Sequence, residues 1–257
     1  MIFMDGGNTN PEPPKTETPS EPIVEKKEKV VVLKKSILLI VVAIIIIAII
    51  AIAAYFLFNN PSHSAQYIAN YSPVLGSESA TINVIEFSDY ECPFCQAAEG
   101  VNQEIMNSLI NNDPLWQPPI PNVIEQYVNT GKVRLIFRNF PVHPTSAQVA
   151  LAAACAQEQG KFWEYHEILF ENYNALSNTD LKMYAANLNL DLTQFNQCLD
   201  SKKYQSEIDN DLADSRALGI TGTPTFFIGN NETGYKKLVG AQPFYNFTQI
   251  IDSKISV

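Results

Sequence analysis

Glu86-Phe87-Ser88-Asp89-Tyr90-Glu91-Cys92-Pro93-Phe94-Cys95 decides how this chain is read. Before the cysteines, Thr81 to Phe87 is short, apolar and rich in β-favouring residues, the pattern of a buried strand. After them, Gln96-Ala97-Ala98-Glu99 and the apolar Val101, Ile105, Leu109 and Ile110 recur at helical spacing and predict one helix from Cys95 to about Ile110. The Cys-x-x-Cys pair therefore falls at a helix N-terminus. Unpaired backbone N–H groups and the helix dipole favour an anion there, and a thiolate is that anion. In such a place a cysteine pKa drops from about 8.5 into the range of roughly 3.5 to 7.5. The residues point to a redox dithiol.

Two other readings compete. A zinc knuckle needs a second Cys-x-x-Cys or a Cys/His pair at ligand spacing. The other cysteines, Cys155 and Cys198, stand apart, and His63, His143 and His166 are scattered, so no metal site is expected. A purely structural short-range disulfide is the second alternative. His143 and His166 read as core or surface histidines without a catalytic role.

Upstream, Ser36 to Phe58 is a run of 23 residues without a charge, dominated by Ile, Val, Leu and Ala. About 20 such residues span a bilayer core. Lys26, Lys27, Lys29, Lys34 and Lys35 precede it, and the next Lys or Arg is Lys132. The positive-inside rule then predicts a cytoplasmic N-terminus and an outer domain beyond Phe58. The alternative is a cleaved signal peptide, with Ala51-Ile52-Ala53 as the cleavage site, but the apolar run and its leading segment are longer than a signal peptide requires. An uncleaved signal anchor is expected. The Pro-, Glu-, Lys- and Thr-rich segment before it (1–35) reads as a disordered tail.

The formal net charge is −10, and the residues after Phe58 carry all of it. An acidic outer domain argues against nucleic-acid binding, which needs basic surface. With 59–72 as a linker, the remainder is long enough for one domain with a substantial core. Asn111 to Asn122 contains Asp113-Pro114 and Pro118-Pro119-Ile120-Pro121, which predict a non-helical stretch. Trp116 there, with Leu115 and Ile120, reads as a packed surface loop or a binding lip. A helical piece at Val123 to Asn129 ends at Gly131, and Lys132 to Phe137 is a second strand. From about 145 to 218 the pattern is helical only. Two strands, Thr225 to Ile228 and Lys237 to Val239, and a helix from Pro243 to Ile255 close the chain. The order predicts an α/β, thioredoxin-like fold over 73–257 with an inserted all-helical domain, preceded by one N-terminal transmembrane helix.

Five ordered blocks carry a family resemblance: Pro73-Val74-Leu75-Gly76, Glu86 through Cys95, Phe140-Pro141-Val142-His143, Gly160-Lys161-Phe162-Trp163 and Gly222-Thr223-Pro224-Thr225. Together they resemble the DsbA family of thiol:disulfide oxidoreductases. The resemblance implies an enzyme that introduces disulfides into exported proteins and is reoxidised by a membrane partner, a DsbB- or VKOR-like protein. It implies no cofactor. Cys92 would be the nucleophile and Cys95 the resolving thiol. Thr223-Pro224 would be the family's cis-proline loop, binding substrate beside Pro93 and Phe94. Taken alone, Thr-Pro-Thr is an ordinary strand-entry proline. Glu86 would transfer a proton to or from the buried thiol; the plain alternative is a solvent-facing strand residue. The same cysteine pair could also serve a reductase or isomerase, and a redox-inert binding or chaperone domain is a third class.

The sequence departs from the best-known members in carrying Pro-Phe, not Pro-His, between the cysteines, which removes one donor to the Cys92 thiolate. Cys155 and Cys198 both fall in the helical block. In an oxidising compartment such a leftover pair is expected to form a structural disulfide, and a loop of about 44 residues would gain roughly 3 to 4 kcal/mol from it. Asn70, Asn231 and Asn246 sit in glycosylation-type triplets, which arise often by chance.

Overall fold

The computed structural model describes residues 35–59 and 67–255. It comprises two units, 1–60 and 61–257. Residues 1–34 of the expected tail and 60–66 of the expected linker lie outside the described residues. In the first unit, α1 (Lys35–Asn59) is a 25-residue helix. Its described side chains, Ile37 and residues 39–52, are exposed and all Ile, Val, Leu or Ala. Among the described residues no helix is long and apolar enough to cross a membrane. The side chains at both ends of the expected span, at 36, 38 and 53–58, lie outside that description.

The second unit is built on a five-stranded sheet in the order β1-β3-β2-β4-β5. Its strands are β1 (Val74–Leu75), β2 (Ile82–Ser88), β3 (Val133–Asn139), β4 (Thr225–Asn230) and β5 (Gly234–Val239). β2 and β3 run parallel, with Ser88 opposite Asn139, and all other neighbours are antiparallel. β2 is central and every residue of it is buried. Strand alternation sends Ile82 and Val84 to one face, where Phe226, Ile228 and the helix α10 (Phe244–Ile255) cover them. Ile85 and Phe87 go to the other face, against Ile136, Phe140 and Phe227. Each such buried side chain stabilises by about 1.5–3 kcal/mol. Glu86 shares the Ile82 and Val84 face, so the sheet holds one carboxyl where the pattern asks for an apolar residue.

Between β3 and β4 come five helices: α5 (Ser146–Gln157), α6 (Phe162–Glu171), α7 (Asn178–Asn187), α8 (Leu192–Asp200) and α9 (Gln205–Ala217). Ala-rich α5 is their axis, and its small side chains let Tyr165, Leu169, Leu181 and Phe195 close in around it. A disulfide joins Cys155 on α5 to Cys198 on α8. The block is fixed to the sheet by Arg138 of β3, fully buried, which donates to Asp211 at 2.6 Å and Asp214 at 2.8 Å, both on α9.

Two expectations are corrected. The helix after the cysteines is two helices, α2 (Pro93–Ala98) and α3 (Gln103–Asn112). Gly100 breaks it at φ +80, and Asn102 starts α3 by accepting the Ile105 N–H. The Pro-rich stretch is not wholly irregular. Pro119 and Pro121 lie in the first turn of α4 (Pro119–Val123), where an absent N–H costs nothing, and a π-helical turn, Ile124–Val128, continues it. Trp116 follows the packed reading and not the lip: it is buried, and its indole N–H donates to the Ala241 carbonyl at 2.8 Å.

Candidate active site

Cys92 is the N-cap of α2 and Pro93 its first residue. Proline suits that position, because its fixed φ is helical and its missing N–H has no partner there. The turn from β2 closes when the Cys92 N–H donates to the Asp89 carbonyl at 3.0 Å. Cys92 and Cys95 are unbridged thiols, Cys95 fully buried beneath Cys92. Phe94, between them, stands 47 % exposed.

The two sulfurs are driven apart in acidity. Cys92 is pulled down to about 6, chiefly by a hydrogen bond from the Cys95 side chain; burial opposes, and the Thr223 side chain and the backbone N–H groups of Cys95 and Phe94 assist. Cys95 is pushed well up, by burial first and then by the neighbouring Cys92. At neutral pH the outer sulfur is the thiolate and the inner one the thiol. That asymmetry is what dithiol exchange requires of a nucleophile and its resolving partner.

The Thr223–Pro224 peptide bond is cis, and the loop lies against the pair: the Cys92 thiol is 3.4 Å from the Thr223 carbonyl oxygen. Beside Cys92, Pro93 and Phe94 are exposed, Thr223 is half-buried and Pro224 is buried.

Glu86 lies beneath the site, buried, and faces no solvent. Burial raises its pKa well above the carboxylate range, and Glu99 raises it further. An ionised carboxylate there would cost more than the strand's apolar contacts return, so Glu86 is a neutral acid. Glu99, at the C-cap of α2, is raised to about 8 by burial. His166 on α6 lies 3.4 Å from Glu99 and is lowered to about 4 by burial, so the two meet as neutral groups and not as an ion pair. Glu99 and His166 line a cavity of about 540 Å³ with Val101, Ile120, Trp163 and Phe170. Glu86 is therefore coupled to Cys95 on one side and to this cavity through Glu99 on the other. Among the described residues no cluster of three or more His, Cys, Asp or Glu could hold a metal ion.

A family model described as Thioredoxin matches residues 69–117 and 115–252. The chain belongs to the thioredoxin family. Among solved structures, alpha-DsbA1 of Wolbachia pipientis aligns with this thioredoxin-family chain at TM-score 0.60 and 27% identity, over 76% of this chain and 96% of that one. The catalytic domain of Proteus mirabilis ScsC aligns at TM-score 0.55 and 25% identity, over 76% and 95%. BdbD from Bacillus subtilis shares the fold at TM-score 0.61 and 23% identity, over 76% and 98%. Curated relatives carry a different name: the Na(+)/H(+) antiporter NhaA 3 of Salinispora tropica is 34% identical over 60% of this chain and 21% of its own length. The corresponding NhaA of Herminiimonas arsenicoxydans is 30% identical over 60% and 22%. This chain spans about a fifth of the length of these relatives.

Two groups of site residues are not legible from the sequence alone. Nothing in it joins Glu99 and His166 to Glu86, although Glu99 follows Cys95 by four residues, one helical turn. The second group surrounds the turn itself. Asp89 accepts from the Val142 N–H at 2.8 Å and the Ser146 hydroxyl, and His143 Nδ1 is 2.8 Å from its Oδ2. His143 is thus tied to the cysteine turn, and His166 is a core residue beside Glu99.

Proposed function

We propose that this chain is an extracytoplasmic thiol:disulfide oxidoreductase that introduces disulfides into exported proteins. The carrying observation is the opposed acidity of Cys92, pulled down to about 6, and the buried Cys95, pushed well up. In the oxidised form a substrate thiolate attacks the Cys92 sulfur, and the Cys92–Cys95 bond breaks with Cys95 leaving. A second substrate thiolate then attacks the substrate sulfur of the mixed disulfide, and Cys92 leaves as a stabilised thiolate. The substrate has lost two electrons and the Cys92–Cys95 pair has gained them.

The proton that Cys95 takes up comes from Glu86, which touches its titration and is replenished through Glu99 and the adjoining cavity. Thr223 and Pro224 present a backbone edge to an extended substrate, and Pro93 and Phe94 add apolar contact. Reoxidation falls to a quinone-linked membrane protein of DsbB or VKOR type. The Lys-flanked apolar run of α1 supports a membrane anchor with the N-terminus cytoplasmic; protease protection of the tail in right-side-out vesicles tests it.

The reduction potential of the Cys92–Cys95 couple, with oxidative refolding of a reduced test protein and an insulin-reduction assay alongside, decides direction. A potential well above that of glutathione with fast refolding supports the oxidase. A potential below it, with fast insulin reduction, replaces it with a reductase. Cys92→Ser must abolish both activities.

A further inference from the structure

The turn that presents Cys92 carries negative charge of its own. Asp89 and Glu91 both lie within three residues of the nucleophile, and the sequence holds no Lys or Arg between Lys35 and Lys132. Neither β2, the turn nor α2 therefore supplies a cation. On β3, Arg138 is committed to Asp211 and Asp214. Two carboxylates beside a thiol disfavour its thiolate by like-charge repulsion.

The segment after β3 answers this charge. Because β2 and β3 are parallel and end in register at Ser88 and Asn139, the residues that follow each strand emerge side by side. Residues 141–146 fold over the turn and grip both carboxylates. Val142 and His143 donate their backbone N–H groups to Asp89 Oδ2 at 2.8 and 3.1 Å, and His143 Nδ1 lies 2.8 Å from the same oxygen. The Ser146 hydroxyl approaches Asp89 Oδ1 and lies 2.6 Å from Glu91 Oε2, while the Thr145 hydroxyl donates to Glu91 Oε1. Asp89 has a fully buried side chain, whereas the His143 side chain is 39 % exposed. The same Asp89 accepts the Cys92 N–H through its carbonyl at 3.0 Å. One buried residue thus holds the nucleophile by its backbone and the imidazole by its ring.

We propose that His143, held as an imidazolium by Asp89, is the charge partner of the Cys92 thiolate, supplying from the loop after β3 the cation that the Pro-Phe dipeptide lacks. Asp89 is then a positioning residue, and it does not itself touch the reacting sulfur. The proposal rests on the oxidoreductase reading and adds to it the residue that favours Cys92 as a leaving group. The charged groups facing the ring are Asp89, Cys92 and Glu91. Its pKa is raised above the usual histidine value, first by the Asp89 hydrogen bond against burial, then by the charges of Asp89, Cys92 and Glu91. Linkage makes the effect reciprocal: an imidazolium that lowers the Cys92 pKa has its own pKa raised equally by the thiolate.

Two measurements on the full-length protein test this. The first is the pH profile of Cys92 alkylation by iodoacetamide, read by peptide mass. His143→Gln should cut the thiolate fraction below the midpoint about twofold to threefold, less than half of one pKa step, and His143→Lys should restore it. The second needs no variant of the histidine: NMR titration of the His143 ring with the Cys92–Cys95 pair oxidised and then reduced. Its midpoint should rise on reduction and stay at the oxidised value in reduced Cys92→Ser. An unchanged Cys92 profile in His143→Gln, or a His143 midpoint indifferent to redox state, overturns the proposal. A wild-type pair that does not equilibrate with glutathione overturns the oxidoreductase reading instead.

Discussion

The sulfur of Cys92 lies 3.4 Å from the carbonyl oxygen of Thr223, although 131 residues separate them in sequence. The carbonyl accepts from the thiol form, while the Thr223 side chain favours the thiolate and helps to pull Cys92 down to about 6. One residue therefore acts on both protonation states of the nucleophile. Thr223→Val keeps the carbonyl and removes the hydroxyl. The Cys92 thiolate fraction below its midpoint should fall about threefold, about half of one pKa step. A pH series of alkylation rates measures it, and an unmoved profile would show that the hydroxyl has no part.

The buried acids give the protein a stability that depends on pH in an unusual direction. Burial holds Glu99 at about 8, above its unfolded value near 4.5, so the native state keeps a proton that the unfolded state has lost. The contribution is complete below the unfolded value and disappears as pH rises towards 8. Glu86 is raised in the same sense. Each such group lowers stability by at most about 1.4 kcal/mol per pH step across its window. Urea unfolding at pH 5, 6.5 and 8 should show the wild type weakening more steeply than Glu99→Gln or Glu86→Gln. Parallel curves would refute the assignment of neutral acids.

The Cys155–Cys198 bond ties residues 43 apart in sequence. Replacing both cysteines by Ala should reduce stability by about 3 to 4 kcal/mol, the loop-closure value for that length. Differential scanning calorimetry at constant pH checks it. The Cys92–Cys95 potential, a property of a separate site, should be unchanged in the same variant.

Arg138→Met leaves Asp211 and Asp214 buried near a neutral side chain. Asp211 already has a raised pKa, because burial outweighs what Arg138 lowers. Removing the cation should therefore destabilise by about 3–5 kcal/mol, the usual cost of stranding half of a buried ion pair. Adding Asp211→Asn to Arg138→Met should recover part of the loss, and a double variant no better than the single would argue that packing alone is responsible.

Much of the fold is legible in the sequence. The run Val84-Ile85-Glu86-Phe87 identified a buried strand because β-branched and aromatic residues fit a covered sheet; its central place in the sheet came only with the topology. The helical block showed in its long period-3.6 patterns and in the glycines that end them. The break between α2 and α3 did not show, because Val101, Ile105 and Leu109 keep helical spacing across it. Gly100 alone marked it, and its position is set by Pro118 and Pro121 packed nearby at 3.5 and 3.2 Å from where a Cβ would stand. The tie between Asp89 and His143 was hidden for a different reason. It joins residues 54 apart, and only the parallel register of two strands brings their ends together. Sequence periodicity records which face a residue takes, and carries no account of which strand will lie beside it.

The disulfide inside the helical block has one more consequence under the oxidase reading. A newly made copy leaves the cytosol with four thiols, two meant to cycle and two meant to stay joined. It is therefore a client before it is a catalyst. Under that reading, copies already matured on the outer side would be among the catalysts able to complete it.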